Sequence, residues 1–92
     1  MRMFGFLKAI KAAREAQKGL TVAFRARGKN FMTLESAVHE ALVKEAMATG
    51  VEATMQHFDR IEMYSFGRAR EIIDHYKERS KQFDGAPRQS QL

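Results

Sequence analysis

Lys8, Lys11, Arg14 and Lys18 recur at spacings of three and four, and Arg25, Arg27 and Lys29 follow with Asn30 beside them. This is phosphate-binding chemistry. An arginine guanidinium forks onto two phosphate oxygens, and a lysine supplies a mobile point charge. Contacts of this kind orient a protein on a polyanion without reading its sequence. Their concentration says more than their number. Residues 1–30 hold eight bases against one acid, Glu15, a formal +7, while the whole chain of 92 residues carries +5. Residues 31–66 hold Lys44 and Arg60 against Glu35, Glu40, Glu45, Glu52, Asp59 and Glu62, or −4. Residues 67–92 hold six bases against four acids, or +2. The segregation predicts a dipolar molecule with a positive N-terminal third and an acidic middle.

Other chemistries are thinly represented. There is no cysteine, so thiolate metal sites, thiol nucleophiles and disulfides are excluded. His39, His57 and His75 lie eighteen apart, and none pairs with another at the i,i+3 or i,i+4 spacing of a local metal site. His39 lies one helical turn from Glu35 and His75 one turn from Glu71, the spacing of surface ion pairs. His57 could join a ribonuclease-like constellation only through partners brought to it by folding. The six glycines form neither G-x-G-x-x-G nor G-x-x-x-x-G-K, and no G-x-S-x-G is present. The expectation is a protein that is not an enzyme, with no cofactor, no metal and no small-molecule substrate. The six methionines read as adaptable core filler.

Those bases need elements to hold them. Met3–Lys18 has a helical period: Phe6, Ala9, Ile10, Ala13 and Ala16 share one side, and the lysines and Arg14 the other. Phe4 falls on the basic side. Gly19 predicts the helix stop. Leu20–Arg27 alternates apolar and polar, which predicts a strand with Arg25 and Arg27 on its far face. Gly28-Lys29-Asn30 then turns the chain into a short strand at Phe31-Met32, giving a hairpin. Thr33 is the expected cap of a helix from Leu34 to about Ala48, ended by Gly50. Its inner side carries Leu34, Ala37, Val38, Ala41, Leu42 and Ala46, with Glu45 at the margin. Residues 51–60 alternate as a strand, although Met55, Phe58 and Ile61 also fit one helical face. Ile61–Phe66 reads as a further strand, rich in β-branched and aromatic residues, and Arg68 to about Phe83 as a last helix.

The predicted fold class is therefore α+β: a small antiparallel sheet of three or four strands with three helices, in the order α-β-β-α-(β)-β-α. Residues 1–84 form one domain and 85–92 a polar C-terminal tail. With 52–60 helical, the order α-β-β-α-α-β would resemble a type II KH domain, but Gly50-Val51-Glu52-Ala53 is not the Gly-x-x-Gly loop that family needs. The double-stranded RNA-binding domain has no helix between its strands.

Mean hydropathy is −0.45, and no apolar run approaches the roughly 18 residues needed to span a bilayer. With no cysteine, this suits a cytoplasmic protein. Lys8 and Lys11 interrupt any signal-peptide core. A mitochondrial presequence would match the basic, acid-free Met1–Arg14, but that stretch lacks serine. Phe4, Phe6, Leu7 and Ile10 under a lysine rim also form an interfacial membrane pattern. Against this, the apolar side turns to alanine after Ile10, and the core needs it.

A pI near 9.9 points to a nucleic acid or nucleoprotein partner. The combination of small size, no cysteine, segregated charge and no catalytic signature resembles the small inhibitors of phages and mobile elements, the anti-CRISPR proteins among them. That resemblance implies a steric inhibitor of a CRISPR-type RNA-guided complex. The expected function is non-enzymatic docking of the basic N-terminal helix and hairpin through Lys8, Lys11, Arg14, Lys18, Arg25, Arg27 and Lys29, with Asn30 as a polar contact. The hairpin is the expected source of specific contacts, and the helix of general attraction. The alternatives are a protein–protein adaptor using Glu35, Glu40 and Glu45, or an amphipathic membrane-surface protein.

Overall fold

In a computed structural model, which describes residues 2–90 and the side chains of residues 7–83, the chain forms four helices. They are α1 (Arg2–Ala26), α2 (Ser36–Thr49), α3 (Val51–Tyr64) and α4 (Ala69–Ser90), with a 3-10 turn at Phe31–Thr33. Among the described residues there is no strand, so the α+β expectation, with its hairpin and antiparallel sheet, is corrected to an all-helical bundle. Met1 and residues 91–92 lie outside the described residues, as do the side chains of Met3, Phe4 and Phe6. Helix α4 continues past the expected end at Phe83 to Ser90, through most of the stretch read as a tail.

The physical reason for the first correction lies in Leu20–Ala26. Leu20 and Phe24 are fully buried, but Val22, which the strand pattern placed beside them, is 64% exposed. Ala16, Leu20 and Phe24 recur every four residues and form one buried stripe that continues the helix. Gly19 does not stop it. A Cβ there would lie 2.8 Å from Val51 Cγ2, so the glycine lets α1 and the start of α3 approach closely. The chain is released instead at Gly28, whose φ of 74° suits glycine.

The second correction concerns 51–66. Thr54, Met55 and Phe58 are buried and Ile61 is partly so, the helical alternative for that stretch. Gly50, with φ 97°, ends α2 and starts α3, so one residue reverses the chain. Met63, Tyr64 and Phe66, expected in a strand, stand exposed where α3 gives way to the turn at 65–68. The expected cap also moves. Thr33 Oγ1 donates to the Asn30 carbonyl at 2.9 Å within the 3-10 turn, and the Glu35 carboxylate caps α2 by accepting from Ala37 N at 3.0 Å.

Helix α2 is the hub, packed against α1, α3 and α4. Its inner side is Val38, Ala41, Leu42 and Ala46, as the period predicts. An aromatic series crosses the bundle. Phe31 meets Phe24 with ring centres 5.3 Å apart, Phe24 meets Phe58 at 4.9 Å, and Phe58 meets Tyr76 at 6.1 Å. Burying each such ring contributes about 2–3 kcal/mol. Met55 is the one methionine in the core among the described side chains, while Met32, Met47 and Met63 are exposed, so core filler describes only one of these.

Candidate nucleic-acid interface and a buried polar cluster

A helix with its apolar stripe turned inward must turn the opposite side to solvent. On α1 that outer side carries Lys11, Arg14, Lys18 and Arg25, all exposed, with Lys8 also exposed but displaced around the helix. Lys11, Lys18 and Arg25 recur every seven residues, which places them about 10.5 Å apart along one line. The stripe from Lys11 to Arg25 is about 21 Å long. Among the described residues none of the five enters an ion pair. Two apolar side chains, Leu7 and Val22, are exposed along the same side. Arg14, Gln17, Lys18, Thr21 and Val22 line a shallow groove of about 490 Å³. A second, of about 370 Å³, is lined by Thr21, Arg25, Gly28, Lys29, Asn30 and Phe31. Thr21 belongs to both, so the concave surface follows the stripe toward the loop.

The residues expected at a hairpin have other work. Arg27 forks onto Asp59 of α3, Nε to Oδ1 at 3.0 Å and Nη2 to Oδ2 at 2.9 Å, and its Nη1 donates to the Ala23 carbonyl at 3.0 Å. The hydrogen bond to Asp59 raises the guanidinium pKa further. Lys29 Nζ lies 3.2 Å from Glu62 Oε2. Asn30 Oδ1 accepts from Met32 N at 3.0 Å and caps the 3-10 turn. Arg27 and Lys29 tie the end of α1 and its loop to α3, and Asn30 holds the 3-10 turn. The charge expected to favour the hairpin is thus partly spent on the fold, and the exposed share lies on α1.

The sequence missed a second constellation. Glu45 is 2% exposed at the centre of the bundle. Arg79 of α4 forks onto it, Nε to Oε1 at 2.8 Å and Nη2 to Oε2 at 3.1 Å, and packs its guanidinium 5.1 Å from the Phe83 ring centre. His57 of α3 presents Nδ1 at 3.1 Å from both carboxylate oxygens. His75 of α4 brings its Nε2 to 3.2 Å from His57 Nε2. The hydrogen bond to Glu45 raises the Arg79 pKa. Burial first, then the neighbouring His57 and Arg79, lowers that of His75. Tyr76 closes the cluster from below, its hydroxyl buried without a partner among the described residues. Burial, with Glu45 adding to it, holds that phenol well above its usual pKa.

The surface ion pairs expected for two histidines are therefore replaced. His75 faces His57, and His39 stacks on Phe31 with ring centres 4.2 Å apart. The one signal in the sequence was Glu45, an acid on the edge of an apolar face. A carboxylate orienting an imidazole is the arrangement of general-base catalysis, but neither groove is lined by any member of the cluster. Glu45 is also unavailable to an acidic adaptor face, and Glu40 lies 3.8 Å from Lys44. No helix among the described residues is long and apolar enough to cross a membrane. No known protein family, curated protein or solved structure matches the chain significantly.

Proposed function

We propose that this is a non-enzymatic binding protein that lays the outer side of α1 along the phosphate backbone of a nucleic acid or of the nucleic acid in a nucleoprotein. One observation carries the proposal: Lys11, Arg14, Lys18 and Arg25 stand unpaired along one side of a helix, whereas Arg27, Lys29 and Arg79 are all paired. Unpaired bases on a rigid element bind without first breaking internal ion pairs. Along the axis of a duplex each strand presents one phosphate per roughly 3.4 Å, so the length of the stripe spans about six. Val22, exposed between Lys18 and Arg25, adds an apolar contact. The contacts predict affinity with little sequence preference.

The sharper form of the proposal is steric inhibition of an RNA-guided complex of the CRISPR kind, with α1 covering a path that the nucleic acid would otherwise take. Small size and a charged, rigid helix support that mode. The test is fluorescence anisotropy with labelled DNA and RNA of about 20 nucleotides at low salt. Wild-type protein is expected to bind both, and the triple reversal Lys11→Glu, Lys18→Glu, Arg25→Glu to abolish binding while the protein stays folded. Equal affinity for the reversed protein would rule out the α1 surface.

A further inference from the structure

We infer that His57 and His75 form a two-histidine site for a divalent transition-metal ion of the zinc class at the seam between α3 and α4. Imidazole nitrogen is a favoured donor for such ions. A tetrahedral ion held about 2.05 Å from two nitrogens sets them about 3.3 Å apart. The two Nε2 atoms lie 3.2 Å apart. Ring orientation agrees. With each ring centre about 1.1 Å behind its nitrogen, chelation puts the centres about 5.2 Å apart, and a straight hydrogen bond of that length about 5.5 Å. The observed separation is 5.1 Å, close to the chelating value and shorter than a straight hydrogen bond gives.

The supporting groups are those a metal-binding histidine uses. His57 Nδ1 is held by Glu45, which fixes the hydrogen on Nδ1 and leaves the Nε2 lone pair facing His75. Glu45 is itself fixed by Arg79. Without an ion, His75 donates its Nε2 hydrogen to His57. With one, that hydrogen moves to Nδ1 of His75 and the Nε2 lone pair joins the metal. Among the described residues no group of three His, Cys, Asp or Glu side chains could hold the ion, so water takes the remaining positions. Two protein ligands rather than four predict an affinity well below that of structural zinc sites.

The test is titration of chelator-treated full-length protein with Zn²⁺ and, as a spectroscopic probe, Co²⁺. Zn²⁺ is expected to raise the melting temperature and Co²⁺ to give visible absorption. His75→Gln should weaken both by at least about tenfold, and His39→Gln should leave them unchanged. If His75→Gln folds poorly, proton NMR of the wild type decides: Zn²⁺ should shift the His57 and His75 ring resonances and leave those of His39. The inference is overturned by no response up to about 1 mM Zn²⁺, by unchanged binding in His75→Gln, or by a response centred on His39.

Discussion

The outer side of α1 and the seam where α2, α3 and α4 meet both gather charged side chains, but only the seam neutralises them. At the seam Glu45 is buried and satisfied from two helices, by Arg79 and His57. On α1 Lys11, Arg14, Lys18 and Arg25 face solvent with no ion pair among the described residues. A buried charge without a partner costs several kcal/mol, whereas an exposed one costs little and remains available. The two regions therefore differ in state: the charges of the seam are satisfied inside the bundle, and those of the stripe stand unpaired at the surface, as the proposed function requires. Arg27 and Lys29 stand between them, partly exposed yet paired with Asp59 and Glu62.

Substitutions can break that contrast. The largest effect is expected at the seam. Glu45→Ala leaves Arg79 and His57 without their carboxylate and should lower stability by about 3–5 kcal/mol, measured by urea unfolding. A loss below about 1 kcal/mol would mean that the seam is not a structural charge cluster. Next comes the crossing of α1 and α3. Gly19→Ala drives a methyl against the stiff Val51 side chain and should cost about 1 kcal/mol or more despite the better helix propensity. Combined with Val51→Ala, the same change should turn neutral or stabilising, and thermal melts of the two pairs decide.

A pH effect follows in size. His75 titrates below its ordinary value in the folded protein, so below about pH 6.5 the unfolded chain binds more protons. Stability should therefore fall as pH drops from about 7 through that window, and His75→Gln should flatten the fall. Denaturant midpoints at two pH values measure it. The smallest effect belongs to the stripe. Lys18→Glu should change stability by no more than about 0.5 kcal/mol, because nothing in the fold contacts that charge. A larger loss would show that the stripe serves the fold after all.

Some of this could be read along the chain. The inner side of α2 and the solvent-facing basic side of α1 follow from the helical period, but of the expected apolar side of α1 only Ala16 is buried, Ile10 and Ala13 being half-buried and Ala9 exposed. Leu20–Ala26 could not be settled so easily, because positions i and i+4 lie on one face of a helix and of a strand alike. Leu20 and Phe24 satisfy both, and only the exposure of Val22 separates them. The same ambiguity hid α3, where Met55, Phe58 and Ile61 were the better guide than the alternation around them. Gly19 was read as a backbone signal when its role is to yield space to Val51. Arg27 and Lys29 look free in the sequence because their partners, Asp59 and Glu62, come from another helix. The pairing of His57 with His75 joins residues eighteen apart on separate helices, and no local spacing announces it.

The most direct test of the division between stripe and seam is the salt dependence of nucleic-acid affinity. Four phosphate contacts from Lys11, Arg14, Lys18 and Arg25 predict a slope of log affinity against log salt between about −3 and −4 on duplex DNA. Replacing Lys11, Lys18 and Arg25 with alanine should reduce it to about −1, and replacing Arg27 and Lys29 should leave it unchanged. A slope that flattens when Arg27 and Lys29 are lost, and holds when the three stripe residues are lost, would contradict the account.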